Sequence, residues 1–194
     1  MHFGPCDLHV HQVLLPLLCN YKDCCSTIDQ SHTRCVMIYV RQFLEDDHES
    51  IIEIAKALYP RWFNEVGLQQ IARDLQTEQG LVALEEERVV GFLIYRTDKN
   101  NKIAELSWIA VRPELHRKSA GRALVNALEE ILRREDFQAL EVSTVAQTIE
   151  YEPYARTRDF YHAVGFLDVR VDKGWFQSRD DRLLLRKRLS TTGP

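Results

Sequence analysis

The stretch from Gly80 to Leu132 constrains the fold most. "GLVALEEERVVGFLIYRT" (Gly80–Thr97) reads as two strands joined by a turn at Glu86–Glu87, and "DKNN" (Asp98–Asn101) as a second turn. "KIAELSWIAV" (Lys102–Val111) then supplies a third strand of the same antiparallel meander. A strongly amphipathic helix follows almost at once, with Leu124, Val125, Leu128, Ile131 and Leu132 on one face. Its solvent side is expected to carry Arg122, Glu129, Arg133 and Arg134.

The flanking segments extend this pattern. "VMIYVRQF" (Val36–Phe43) reads as a first strand. "DDHESIIEIAKALYP" (Asp46–Pro60) reads as a helix with Ile51, Ile52, Ala55 and Leu58 inward, closed by Pro60. "NEVGLQQIARDLQ" gives a second helix capped by Asn64, with Leu68, Ile71, Ala72 and Leu75 inward. Further on, "ALEVSTV" (Ala139–Val145) is a buried-type strand. "YEPYARTRDFYHAVGF" (Tyr151–Phe166) is a helix entered through Pro153 and closed at Gly165. Two strands, "FLDVRV" and "RLLLRKRL", end the pattern. The order β-α-α-β-β-β-α-β-α-β-β predicts an α+β fold: one domain around a mixed, mainly antiparallel sheet flanked by helices.

Residues 1–36 stand apart. All five cysteines (Cys6, Cys19, Cys24, Cys25, Cys35) lie there, with His2, His9, His11 and His32. A zinc site from Cys19, Cys24, His32 and Cys35 fits no standard module, so no metal is expected. The short apolar run "VLLPLLC" (Val13–Cys19) contains Pro16 and has no Lys or Arg before it, which argues against a signal peptide. This leader is expected to be disordered or adventitious, with the folded domain spanning residues 37–194. The absence of cysteine after Met37 suits a cytoplasmic domain without disulfides.

The chemistry is concentrated in "RPELHRKSAGRAL" (Arg112–Leu124). The first turn of a helix carries unpaired N–H groups and the positive end of the helix dipole, a natural seat for phosphate. Gly121 allows close backbone approach, Ser119 and Ala120 keep the turn small, and Arg117, Lys118 and Arg122 add positive charge. No Gly-Lys-Ser/Thr follows the glycine, so this is not a P-loop. Two of the three glycines of a dinucleotide fingerprint are missing.

With its neighbours, this stretch resembles the GNAT superfamily of acetyl-CoA-dependent N-acetyltransferases. "IAVRPELHRKSAGRAL" (Ile109–Leu124) follows that family's outline of strand, Val-x-Pro, Arg/Gln-x-x-Gly-x-Gly/Ala and helix. "FYHAVGF" (Phe160–Phe166) is similar to its Phe-Tyr-x-x-x-Gly-Phe signature. Two positions depart from the outline: His116 stands where Arg or Gln is usual, and Ser119 where Gly is usual. A serine can serve there if its φ is negative.

The resemblance implies a GNAT-like domain that uses acetyl-CoA as acetyl donor. The backbone of Ile109, Ala110 and Val111 would pair with the pantetheine arm, and N–H groups from Arg117 to Arg122 would hold the pyrophosphate. It also implies Tyr161 as the acid that protonates the departing thiolate. An alkylammonium must lose a proton before it can attack, and Glu105, on the strand entering the site, is the expected base. Glu150 and Glu152 are reserves. Trp62 and Phe63, in "YPRWF" (Tyr59–Phe63), and Tyr151 and Tyr154 are candidates for the acceptor site. Every one of these side chains also has a purely structural reading. Trp108 and Trp175 are expected to be packing residues, and His162 a surface residue.

The expected activity is therefore transfer of an acetyl group to a small-molecule or peptide primary amine by direct attack in a ternary complex. The alternative is an acyl-CoA-binding sensor or interaction module on the same fold. A net charge of −4 speaks against a nucleic-acid surface. No apolar run is long enough to span a bilayer, so no membrane is expected as partner. Homodimerisation is left open.

Overall fold

The computed structural model describes residues 37–176 and 179–189; residues 1–36, with their cysteines, and residues 190–194 lie outside the described residues. The elements follow the expected order. They are β1 (Ile38–Gln42), α1 (His48–Ala57), α2 (Glu65–Asp74), β2 (Gln79–Glu85), β3 (Arg88–Asp98) and β4 (Ile103–Val111), then α3 (Ala120–Arg134), β5 (Ala139–Val145), α4 (Glu152–Ala163), β6 (Leu167–Asp172) and β7 (Arg182–Arg188).

Local chemistry places several boundaries. The Asn64 side chain accepts a hydrogen bond from the Gly67 N–H at 2.8 Å and so caps α2. The Asp98 carboxylate accepts from the Asn100 and Asn101 N–H groups and closes the turn between β3 and β4. Pro153 opens α4, and Gly165, at φ +94°, ends the turn after it.

The strands form one sheet in the order β1-β2-β3-β4-β5-β7-β6. Only β4 and β5 run parallel, because α3 carries the chain back across the sheet between them. α3 and α4 cover one face, burying Leu124, Val125, Leu128, Leu132, Tyr161 and Val164 against Leu93, Leu106, Val142 and Leu185. α1 and α2 cover part of the other, burying Ile51, Ile54, Ile71 and Leu75 against Val82, Phe92 and Ile94. Leu124, Leu128 and Leu132 are all 0% exposed, so truncating any one to alanine costs about 2–5 kcal/mol.

Three expectations about exposure fail. Glu129 is 3% exposed rather than on the solvent side. Its flank of α3 meets β7 and the end of α4, where the Lys187 ammonium donates both to Glu129 and to the Val164 carbonyl, the latter at 2.6 Å. Arg133 donates to the same carboxylate at 2.7 Å. Trp175 is 58% exposed, with the Arg182 guanidinium stacked 3.5 Å from its ring centre. Ala72 also lies outward, because the buried stripe of α2 narrows to Ile71 and Leu75.

Candidate active site

The site grows from the end of β4. β5 pairs with β4 only from Ile103 to Leu106, opposite Ala139 to Val142; beyond Leu106 the two parallel strands fork. On its other side β4 stays paired with β3 as far as Val111. The Arg112 N–H donates to the Val90 carbonyl at 2.8 Å. Hydrogen-bonded and non-bonded pairs alternate along an antiparallel ladder. Ala110 therefore spends its N–H and C=O on β3, while those of Ile109 and Val111 point into the fork. Of the three residues expected to offer their backbone, two do so; Ala110 instead buries its methyl group against α1 and α2.

Chain reversal after β4 leads to the loop expected to hold an anion. Arg112 is tethered through its Nε to the Val89 carbonyl at 3.0 Å. A 3-10 turn over Pro113–Leu115 buries Leu115 and leaves His116, Arg117 and Lys118 exposed. The first N–H of this helix to find a backbone partner is that of Ala123, which donates to the Ser119 carbonyl at 2.9 Å. The N–H groups of Ala120, Gly121 and Arg122 are thus the open donors of the first turn. Arg122 is exposed beside them.

Two details of this loop depart from expectation. Ser119 has φ +65°, the left-handed region, not a negative value. Its hydroxyl turns back on the Lys118 carbonyl at 2.6 Å rather than capping the helix. Gly121 sits close under α4: a Cβ there would lie 3.2 Å from the Phe160 ring, which would have to give by a few tenths of an ångström.

The His116 ring bonds through Nε2 to the Val111 carbonyl at 2.8 Å, inside the fork. The Trp62 ring lies edge-on to it, 5.5 Å between centroids. Arg61 stacks on Trp62 at 4.8 Å and pairs with Glu152 at 3.0 Å, while the Tyr151 hydroxyl donates to the Arg61 carbonyl at 3.0 Å. The α1–α2 connection therefore bridges the loop before α3 and the start of α4. Tyr151 and Tyr154 pack edge to face, and burial raises the Tyr154 phenol above its usual value. Phe63 behaves differently, packing on Trp108. Trp108 in turn donates to Asp74 at 2.6 Å, so Phe63 belongs to the layer under α2.

Tyr161 is 5% exposed, between Phe160 and Phe166, and burial pushes its phenol well above the ordinary value. His162, beside it, is at the surface, as expected, and its ring is bonded to Asp168 at 2.7 Å. Glu105 lies on the face away from α3, with Oε2 bonded to Arg96 Nε at 3.1 Å. Across the sheet it stands in register with Glu141 of β5, which is paired in turn with Arg186 of β7 at 2.7 Å. A row Arg96–Glu105–Glu141–Arg186 thus crosses four strands just below the fork. The sequence reading missed Glu141, although the alternation of "ALEVSTV" puts Glu141 and Ser143 on the face opposite Leu140 and Val142.

The acetyltransferase (GNAT) family matches residues 40–166 of the chain. The chain belongs to this family and is an acyltransferase. A GNAT-family acetyltransferase of Desulfovibrio desulfuricans has a similar structure, with a TM-score of 0.68 at 23% identity over 79% of this chain and 100% of the other. The ribosomal-protein-S18-alanine N-acetyltransferase of Escherichia coli gives 0.65 at 18% identity over 81% and 97%. An aminoglycoside 6'-N-acetyltransferase complexed with coenzyme A gives 0.64 at 15% identity over 80% and 99%. At these identities the likeness is one of fold. No curated protein matches the chain in sequence.

Proposed function

We propose that this chain transfers the acetyl group of acetyl-CoA directly to a primary amine within a ternary complex. The observation that carries this reading is the open backbone edge of β4 at Ile109 and Val111, running into the open first turn of α3. An extended arm with amide groups can pair with such an edge as an added strand, and a pyrophosphate suits the helix start. The residues fit this ligand, provided that His116 yields the Val111 carbonyl.

Acetyl-CoA supplies the acetyl carbon as a thioester. Arg117, Lys118 and Arg122, with the N–H groups through Ser119, Ala120, Gly121 and Arg122, hold its phosphates. Glu105 takes the proton that the ammonium must lose. Tyr161, whose phenol is neutral at neutral pH, holds a proton for the departing sulfur. No cysteine follows Met37, which favours direct attack over an acetyl-enzyme. Trp62, Tyr151 and Tyr154, joined through Arg61, border the acceptor entrance, with Phe63 supporting them from the core.

The acceptor is a small-molecule or peptide amine, and the setting is the cytoplasm. No helix among the described residues is long and apolar enough to cross a membrane. A thiol-release screen with acetyl-CoA tests the proposal, using a free peptide N-terminus, a lysine peptide, a polyamine and an aminoglycoside. At least one should release thiol and become acetylated. Tight binding of acetyl-CoA without release by any amine would make the chain an acyl-CoA-binding module instead.

A further inference from the structure

The His116 ring meets β4 where the strand is open. A carbonyl only accepts, so in the 2.8 Å contact the imidazole Nε2–H donates to the Val111 oxygen. That oxygen points away from β3, because the Arg112 N–H bonds Val90 and the ladder alternates. A strand added to β4 would run about 4.8 Å from it. Its amide nitrogen would stand about 2.9 Å from the same oxygen. His116 Nε2 therefore occupies the position of an amide nitrogen on an added strand, and the ring lies in that strand's path.

The ring is also held from its other side. Trp62 stands edge to face with it, 5.5 Å between centroids and 84° between planes. Trp62 is fixed in turn by Arg61, which lies over the indole at 4.8 Å and pairs with Glu152 at 3.0 Å. The Tyr151 hydroxyl holds the Arg61 carbonyl. One imidazole thus joins the open edge of β4 to the α1–α2 connection and the start of α4. The ring is exposed, and one hydrogen bond of this kind contributes little to the fold. It can be exchanged for a ligand's.

We propose that His116 is an autoinhibitory latch: its N–H takes the place of a pantetheine amide on the Val111 carbonyl, and the incoming arm displaces the ring and frees Trp62. This rests on the acetyl-transfer reading and adds a regulation of that same site. The arm binds the unlatched state alone, which is the differential affinity that a ligand-driven shift requires. Coenzyme binding at β4 is thereby coupled to the packing of the α1–α2 connection. The latch also lowers coenzyme affinity below what the open edge of β4 and the loop before α3 would give without it.

The test needs no amine acceptor. The full chain, labelled with fluorotryptophan, is titrated with coenzyme A and followed by fluorine NMR. The control ligand is 3'-phospho-ADP, which carries the coenzyme's phosphates without its pantetheine arm. Coenzyme A should move the Trp62 resonance, assigned by its loss in Trp62→Phe, and 3'-phospho-ADP should leave it in place. Calorimetry of His116→Ala, a change at an exposed ring, gives the second readout. Its coenzyme A affinity should rise about two- to tenfold, because the arm no longer displaces a hydrogen bond. Its 3'-phospho-ADP affinity should match that of wild type. Weaker binding of both ligands in His116→Ala would make the ring a phosphate contact and overturn the proposal. Unchanged coenzyme A affinity, or a Trp62 resonance that ignores coenzyme A or moves equally with both ligands, would overturn it too. If coenzyme A binds neither wild type nor His116→Ala, the acetyl-transfer reading itself falls.

Discussion

Replacing Ser119 with glycine tests the geometry of the loop before α3. Ser119 sits at φ +65°, where an L residue brings its Cβ against its own backbone at a cost of about 1–2 kcal/mol. Glycine avoids that contact but gives up about 0.5–1 kcal/mol through the greater freedom of its unfolded chain. The lost Ser119 hydroxyl bond to the Lys118 carbonyl is at an exposed residue and adds little. The net gain is about 0.5–1 kcal/mol, or roughly 1–4 °C in melting temperature for a chain of this size. Ser119→Ala keeps the Cβ and loses the hydroxyl, so it should gain nothing. Differential scanning calorimetry of the apo protein reads both variants, and acetyl-CoA affinity should be equal or tighter in Ser119→Gly. A glycine variant no more stable than the alanine variant would refute the left-handed assignment.

Gly121→Glu should abolish acetyl-CoA binding in calorimetry and also lower the apo melting temperature, because its Cβ meets the Phe160 ring at 3.2 Å; Gly121→Glu/Phe160→Leu should recover part of the stability and none of the binding. Lys187→Met leaves the Glu129 carboxylate with Arg133 alone in a nearly closed site. It should cost about 3 kcal/mol, read as a lower urea midpoint. Tyr161→Phe should lower kcat about a hundredfold with acetyl-CoA affinity nearly unchanged. The Tyr161 phenol is raised in the fold above its unfolded value, so its neutral burial favours the folded state up to about pH 10. That contribution is lost as pH rises further, as the unfolded chain ionises first. Wild type should therefore lose more stability than Tyr161→Phe between about pH 10 and 11 in chemical denaturation, and parallel curves would contradict the burial.

The order of elements was legible because each depends on local periodicity. The alternation in Gly80–Val111 and the apolar stripe of α3 survive any tertiary arrangement. The reversal between β4 and α3 was legible too, through small residues and cations gathered at one helix start. The fork was not. It exists because β4 and β5 are parallel neighbours that part after Leu106, a pairing between strands separated by the whole of α3. Ser107 looks like an ordinary strand serine until the bulge is seen, and Glu141 comes level with Glu105 only through the pairing of β4 with β5. Glu129 misled for a related reason. Periodicity gives a helix face an angle, whereas the Lys187 partner that allows a buried carboxylate comes from β7, far along the chain. The φ of Ser119 is likewise set by the tight reversal between β4 and α3 and leaves no mark in composition.

Backbone amide hydrogen exchange with and without acetyl-CoA tests the central claim most directly. The account predicts new protection at the N–H groups of Ile109 and Val111, and at Ala120, Gly121 and Arg122. Ala110, already bonded to β3, should change little. Binding of acetyl-CoA that leaves Ile109, Val111 and the first turn of α3 exchanging as before would contradict it.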